Sequence, residues 1–176
     1  MKTDSNIKIY DNYLPDDYFK YLKGMLLNND SNFSWNYSDF VINENNKNPN
    51  EFQFVHIFYH HNIPVSPFFN ELSIIFQQLN PLTLIKVKAN LLPKTTSHVE
   101  HGMHVDIVGS NCQNLKTAIL YINTNNGYTL FEDNTKINSV ENRMVIFPTD
   151  MRHTGATCTD EKSRVVINFN FLCWKN

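Results

Sequence analysis

The segment His101-Gly102-Met103-His104-Val105-Asp106 sets an imidazole and a carboxylate two residues apart. In an extended chain such residues project from the same face, so His104 and Asp106 can grip one cation from one side. A third ligand must come from elsewhere, and His153 is the only histidine after that cluster. Two histidines and one carboxylate on one face of an octahedral ion leave three positions open, the arrangement that suits a catalytic iron(II). Arg164 then opens the apolar run Val165-Val166-Ile167-Asn168-Phe169-Asn170-Phe171. A guanidinium fork gives a carboxylate two parallel charge-assisted hydrogen bonds, and buried without a partner it would be costly. Its position therefore points to a bound dicarboxylate. Taken singly, an H-x-D recurs by chance and an arginine at a strand start can be a surface residue; the order of the four carries the weight. Parity leaves the register of the metal pair open. His98, Glu100, His104 and Asp106 share a face in an unbroken strand, so His98-Val99-Glu100 competes.

These residues need strands to hold them. Residues 84–92 alternate, with Ile85, Val87, Ala89 and Leu91 to one side and Lys86, Lys88 and Asn90 to the other. Further strands are expected over 103–107, 117–122, 128–131, 137–140, 144–147 and 164–171, with Asn126-Gly127 as a hairpin turn. A short strand is expected over 5–10, and 52–59 should flank the core, from where His56 could reach a substrate. Two helices precede most of the strands. One runs from Pro15 to about Leu27, with Asp16 and Asp17 at the positive end of its dipole. The other runs from about Pro67 to Leu79, with Ser66 as its cap. Between them lies a polar, Asn-rich stretch, 43–50, that has nothing to bury. Residues 34–50 are expected to form a lid, with Trp35 and Tyr37 at its near end to lie over a substrate. Helices followed by many short strands imply an α+β, mainly β protein: helices packed on a β-sandwich or jelly roll.

The whole chain sets bounds. Its 176 residues fit a single domain, 1–176, with helical support in 1–82 and a jelly-roll core in 83–176. A formal charge of −2 gives no electrostatic reason to bind nucleic acid or an anionic membrane. No apolar run approaches a membrane span, and charge and Tyr10-Asp11 stand where a signal peptide needs apolar residues, so a cytoplasmic protein is expected. Cys112, Cys158 and Cys173 form neither a C-x-x-C pair nor an even set, which suggests reduced thiols.

Several segments together carry a family resemblance. They are 101–106, Thr117-Ala118-Ile119-Leu120-Tyr121-Ile122-Asn123, Gly127-Tyr128-Thr129-Leu130-Phe131, Asn142-Arg143-Met144-Val145-Ile146-Phe147-Pro148, His153-Thr154-Gly155 and 164–171. With them the chain resembles the 2-oxoglutarate- and iron(II)-dependent oxygenases, near the small prolyl-4-hydroxylase-like members of bacteria and phages. The resemblance runs from about Thr83 to Asn176 and weakens over the helices. It implies a double-stranded β-helix (jelly-roll, cupin-like) core with His104, Asp106 and His153 as metal ligands, which selects that register. It implies that Arg164 and the Tyr121 hydroxyl hold the far carboxylate of 2-oxoglutarate, with Asn168 near the same carboxylate and Asn90 near the co-substrate. Leu92 stands where relatives often carry a tyrosine before the proline, so one usual hydrogen bond is missing. His101 and His98 become polar residues at the mouth, with His101 on the substrate side.

The implied activity is a dioxygenase that uses Fe(II), 2-oxoglutarate and O2, with ascorbate as a reductant, and releases succinate and CO2. The implied substrate is a prolyl or other residue of a peptide or protein, with a small molecule as the other option; if phage-encoded, the enzyme would work in the host cytoplasm. An AlkB-like nucleic-acid oxidative demethylase would want a basic groove with stacking aromatics, which the charge does not favour. A non-catalytic metal-binding jelly-roll module would not need Arg164.

Overall fold

Alternation in the sequence becomes two faces in the computed structural model, which describes residues 6–28, 30, 32–42, 51–107 and 114–174. The strands are β1 (Lys8–Tyr10), β2 (Asn36–Ser38), β3 (Gln53–His60), β4 (Ile63–Pro64), β5 (Thr83–Pro93), β6 (Leu115–Tyr121), β7 (Tyr128–Phe131), β8 (Lys136–Asn138), β9 (Arg143–Pro148), β10 (His153–Gly155) and β11 (Ser163–Leu172). The larger sheet runs β1-β9-β6-β11-β5-β3-β2, with β4 added to β3; the smaller runs β10-β7-β8. Every pairing between these strands is antiparallel. The result is a jelly-roll arrangement of two sheets, as the patterning implied.

The helices α1 (Asp16–Leu27) and α2 (Ser73–Leu79) cover one face of the larger sheet. Helix α1 buries Phe19, Leu22, Met25 and Leu26, one stripe at helical spacing. Against it and Ile75 pack Phe58, Val87, Ala89, Ala118, Leu120, Val165, Ile167 and Phe169. The opposite face of the same strands meets the smaller sheet, where Ile119, Tyr121, Val145, Phe147 and Val166 pack with Phe131 and Ile137. Period-two alternation thus makes β11 apolar toward the helices and functional toward the interior: Arg164, Val166, Asn168 and Asn170 point into the cleft between the sheets.

Four details depart from expectation. The 103–107 strand does not form. Only isolated bridges, Glu100 to Ala156 and His104 to His153, tie that stretch to the sheet, and Gly102 turns the chain at φ 91°. Parity arguments built on an unbroken strand therefore do not apply there. The second helix begins with a 3-10 turn over Phe69–Leu72, and Ser66 Oγ accepts the Phe68 N–H at 3.0 Å. Asn126-Gly127 joins the two sheets instead of closing a hairpin, because β6 pairs with β9 and β11 while β7 pairs with β8 and β10. Besides the expected β1 and β3, the first 82 residues supply β2 and β4, so they extend the larger sheet in addition to supporting it. Residues 43–50 and Cys112 lie outside the described residues. Among the described residues, no helix is long and apolar enough to cross a membrane.

Candidate metal centre and its pocket

His104, Asp106 and His153 converge on the cleft, with one ligand atom from each lying within 4.8 Å of the others. His104 Nε2 is 3.8 Å from Asp106 Oδ1, and His153 Nε2 is 4.0 Å from it. Each histidine turns its other nitrogen to a backbone carbonyl: His104 Nδ1 to Gly102 O at 3.3 Å, His153 Nδ1 to Met151 O at 3.0 Å. With Nδ1–H donating, both Nε2 lone pairs face the carboxylate, the tautomer a metal requires. The carboxylate divides its work in the same way. Oδ2 accepts from Thr117 Oγ1 at 2.8 Å, Asn170 Nδ2 at 2.9 Å and Asn168 Nδ2 at 3.3 Å, and Oδ1 is left toward the histidines.

The electrostatics favour a cation. Burial, then the neighbouring His153, push His104 below the ordinary imidazole range, so its nitrogen is free of a proton. Burial alone would raise Asp106, but His153, the Thr117 hydroxyl, His104 and the Asn170 amide outweigh it and hold the carboxyl below its usual value. Two imidazole nitrogens and one carboxylate on one side, with an open cleft on the other, fit a divalent ion that keeps free positions. Among the described residues, the competing pair His98 and Glu100 does not join a cluster of possible metal ligands and has other partners. His98 Nδ1 bonds Thr157 O at 2.7 Å, and Glu100 accepts the Tyr128 hydroxyl at 2.7 Å.

The pocket is about 490 Å³ and runs from these three residues to Arg164. Arg164 is 4% exposed, and no carboxylate among the described residues pairs with it. Nε donates to Ser139 Oγ at 2.9 Å and Nη2 to Thr129 Oγ1 at 3.0 Å. Neutral hydroxyls orient the guanidinium without cancelling its charge, which a buried cation needs from something else. Two glycines make the space. A Cβ on Gly127 would lie 2.7 Å from Arg164 Cδ and 2.9 Å from Ala156 O, and one on Gly155 would lie 3.3 Å from Arg164 Nη1. The cradle fits one end of a dicarboxylate.

The remaining expected residues divide. Tyr121 is fully buried and donates to Thr129 Oγ1 at 2.7 Å, so it meets the cradle through the hydroxyl that also takes Arg164. Asn168 lines the pocket but stands at Asp106 instead of at the Arg164 end, since its place further along the strand carries it away from the cradle. Asn90 lines the pocket and donates to Gln53 Oε1 at 2.6 Å. His101 also lines it, paired through Nδ1 with Glu51 at 2.7 Å, while its buried Nε2 has no partner.

Three expected substrate contacts lie elsewhere. His56 sits opposite Ala89 in the sheet, on the helix side, and bonds Ser34 O at 2.7 Å and Ser66 Oγ at 2.8 Å. Trp35 donates to Leu26 O at 3.2 Å and packs against the helical core, which keeps it from the cleft. Tyr37 is 64% exposed on the edge strand β2, against Phe52 and Phe54. From the expected lid, Val41 and Ile42 border the pocket instead, and Gln53 Nε2 holds the carbonyls of Phe40 and Val41 at 3.1 and 2.9 Å. Gln53, Thr117, Thr129, Ser139 and Asn170 had no signal in the sequence beyond the parity of their strands.

No protein-family model matches the sequence, and no curated protein matches it. Solved structures do. A prolyl-4-hydroxylase of Pseudomonas putida is 13% identical over 96% of this chain and 92% of its own, with a TM-score of 0.65. A 2OG-Fe(II) oxygenase-family oxidoreductase of Burkholderia pseudomallei is 10% identical over 96% and 86%, with a TM-score of 0.69. A Trichoplax adhaerens prolyl hydroxylase, solved with a peptide of the hypoxia inducible factor oxygen degradation domain, is 13% identical over 96% and 84%, with a TM-score of 0.67. The chain therefore has the jelly-roll fold of these oxygenases.

Proposed function

We propose that the protein is an Fe(II)- and 2-oxoglutarate-dependent dioxygenase that hydroxylates a residue, prolyl or other, of a peptide or protein. The observation that carries this is one cleft lined both by the clustered His104, Asp106 and His153 ligand atoms and by a buried Arg164 with no acid paired to it among the described residues. Fold alone would not carry it, because one fold hosts many chemistries.

His104, Asp106 and His153 hold the metal through Nε2, Oδ1 and Nε2. Arg164 binds the far carboxylate of 2-oxoglutarate, and Ser139 and Thr129 aim its N–H groups. Bound together, iron(II) and 2-oxoglutarate would supply the O2 activation that oxidises a C–H bond, releasing succinate and CO2. Thr117 and Asn170 fix the Asp106 carboxylate so that one oxygen stays available. His101, steadied by Glu51, faces the substrate side. A peptide substrate is supported by the peptide held by the Trichoplax adhaerens hydroxylase of the same fold.

A metal-binding module without activity is the competitor, and the Arg164 cradle speaks against it. The test is succinate release by the purified protein with Fe(II), 2-oxoglutarate and ascorbate, screened with peptides, free amino acids and nucleosides. Stimulation by a peptide supports the reading. Metal binding without any saturable binding of 2-oxoglutarate would overturn it.

A further inference from the structure

The wall of the pocket beside Asp106 carries two cations that the proposed chemistry does not use. Lys88 stands opposite Asn168 and Lys86 opposite Asn170, the two asparagines that hold the metal carboxylate. Both lysines line the pocket. Among the described residues, neither ammonium has a hydrogen bond or an ion pair with an acid. On the same wall Asn168 Oδ1 is buried with no donor. The other pocket arginine, Arg152, is already matched by Glu132 at 3.1 Å. Burial, with the like charge of Lys86 second, pulls Lys88 down to about 8, and Asp106 is too little to offset this.

On the oxygenase reading, from which this inference proceeds, Asp106 and one carboxylate of 2-oxoglutarate neutralise the metal, and the other carboxylate neutralises Arg164. The charge of Lys86 and Lys88 stays uncancelled beside the reacting centre. Isolated charge in a cleft is costly unless an opposite charge arrives with the ligand. We propose that Lys88, supported by Lys86, recognises a carboxylate on the substrate, so that the C–H bond oxidised belongs to an acidic unit. A carboxylate is favoured over a phosphate because this wall offers no backbone N–H cluster. Strand β5 is central, with its ladder taken up by β3 on one side and β11 on the other. Two sources of carboxylate fit: the α-carboxylate of a small amino-acid derivative or chain end, and an acidic side chain within a peptide.

The experiment uses full-length protein with lysine ¹³Cε labels, loaded with Zn(II) and N-oxalylglycine, an unreactive analogue of 2-oxoglutarate. Calorimetry first checks that both bind. Failure there overturns the oxygenase reading, whereas the titrations of the loaded protein test the lysines. N-acetylglycine and N-acetylaspartic acid α-amide are titrated in parallel with N-acetylglycinamide, N-acetylasparagine amide and methyl phosphate. The Lys88 resonance, identified by its absence in Lys88→Arg, should shift saturably with at least one carboxylate, and the matching amide should bind about tenfold more weakly or worse. The carboxylate with the larger effect names the source. In Lys88→Met, or Lys88→Gln if that variant folds poorly, the carboxylate preference should vanish. Equal binding of acid and amide, a preference for methyl phosphate, an unchanged preference in the variant, or loss of N-oxalylglycine binding by the variant would each overturn the proposal.

Discussion

The two parts of the pocket handle positive charge in opposite ways. At the Arg164 end, the cation is enclosed: neutral hydroxyls from Ser139 and Thr129 hold it, Tyr121 locks Thr129, and Gly127 and Gly155 leave it just enough room. At the Lys88 wall, the cations hang from a strand with flexible stems, no oriented partner and a neighbouring polar atom left unsatisfied. A site for an invariant co-substrate can be built rigid, since its ligand always has the same length and charge. On the proposed reading, the Lys88 wall instead admits and releases a larger molecule, which long side chains without fixed partners suit. The three candidate metal ligands lie beside the Lys88 wall yet resemble the rigid part, because each has a hydrogen bond behind it.

The largest effect should come from the shared centre. His153→Ala should reduce succinate release to that of a protein-free control and abolish stoichiometric metal binding, while circular dichroism keeps its β signal. Retained metal binding in that variant would move the centre elsewhere. Next, Arg164→Ala should weaken 2-oxoglutarate binding by about 2–5 kcal/mol, since a desolvated charge pair loses one partner. Arg164→Lys should recover part of this, for an ammonium lacks the bidentate fork. If 2-oxoglutarate still bound normally to Arg164→Ala, the rigid and open parts would have to exchange roles, with Lys86 or Lys88 as anchor.

Smaller changes probe how rigid the enclosed part is. Gly127→Ala places a methyl group against Arg164 and the Ala156 carbonyl. It should cost roughly 1–3 kcal/mol of stability by overpacking and weaken 2-oxoglutarate binding at the same time. Loss of stability alone would mean that the cradle gives. Thr117→Val removes a donor behind Asp106 and should weaken metal affinity roughly 10- to 100-fold, read by competition with a chelator. Tyr121→Phe should have the least effect, about 0.5–1.5 kcal/mol on stability, because Thr129 keeps its bond to Arg164. A much larger loss of 2-oxoglutarate affinity would place the Tyr121 hydroxyl on the carboxylate itself.

Local chemistry and period-two alternation were legible along the chain. Alternation in 84–92 and 164–171 named the strands and their two faces, and the helical stripe of α1 was plain from spacing. His104, Asp106, His153 and Arg164 stood out because their side-chain types in that order have few other joint uses. The rest depended on how the strands come together in space. Gly102 turns the chain and no strand forms over 103–107, so the choice between His98/Glu100 and His104/Asp106 depends on where a loop lands. His56 turned to the helices because its partner across the sheet is Ala89, a register that no local pattern announces. The Arg164 cradle draws on Gly127, Thr129, Ser139 and Gly155, which come from separate strands and loops, and the Lys88 wall exists because β5 lies beside β11. Strand pairing is long-range: it brings together residues whose sequence separation erases any spacing signal, and hydrogen-bond partners are chosen by that pairing and not by neighbours along the chain.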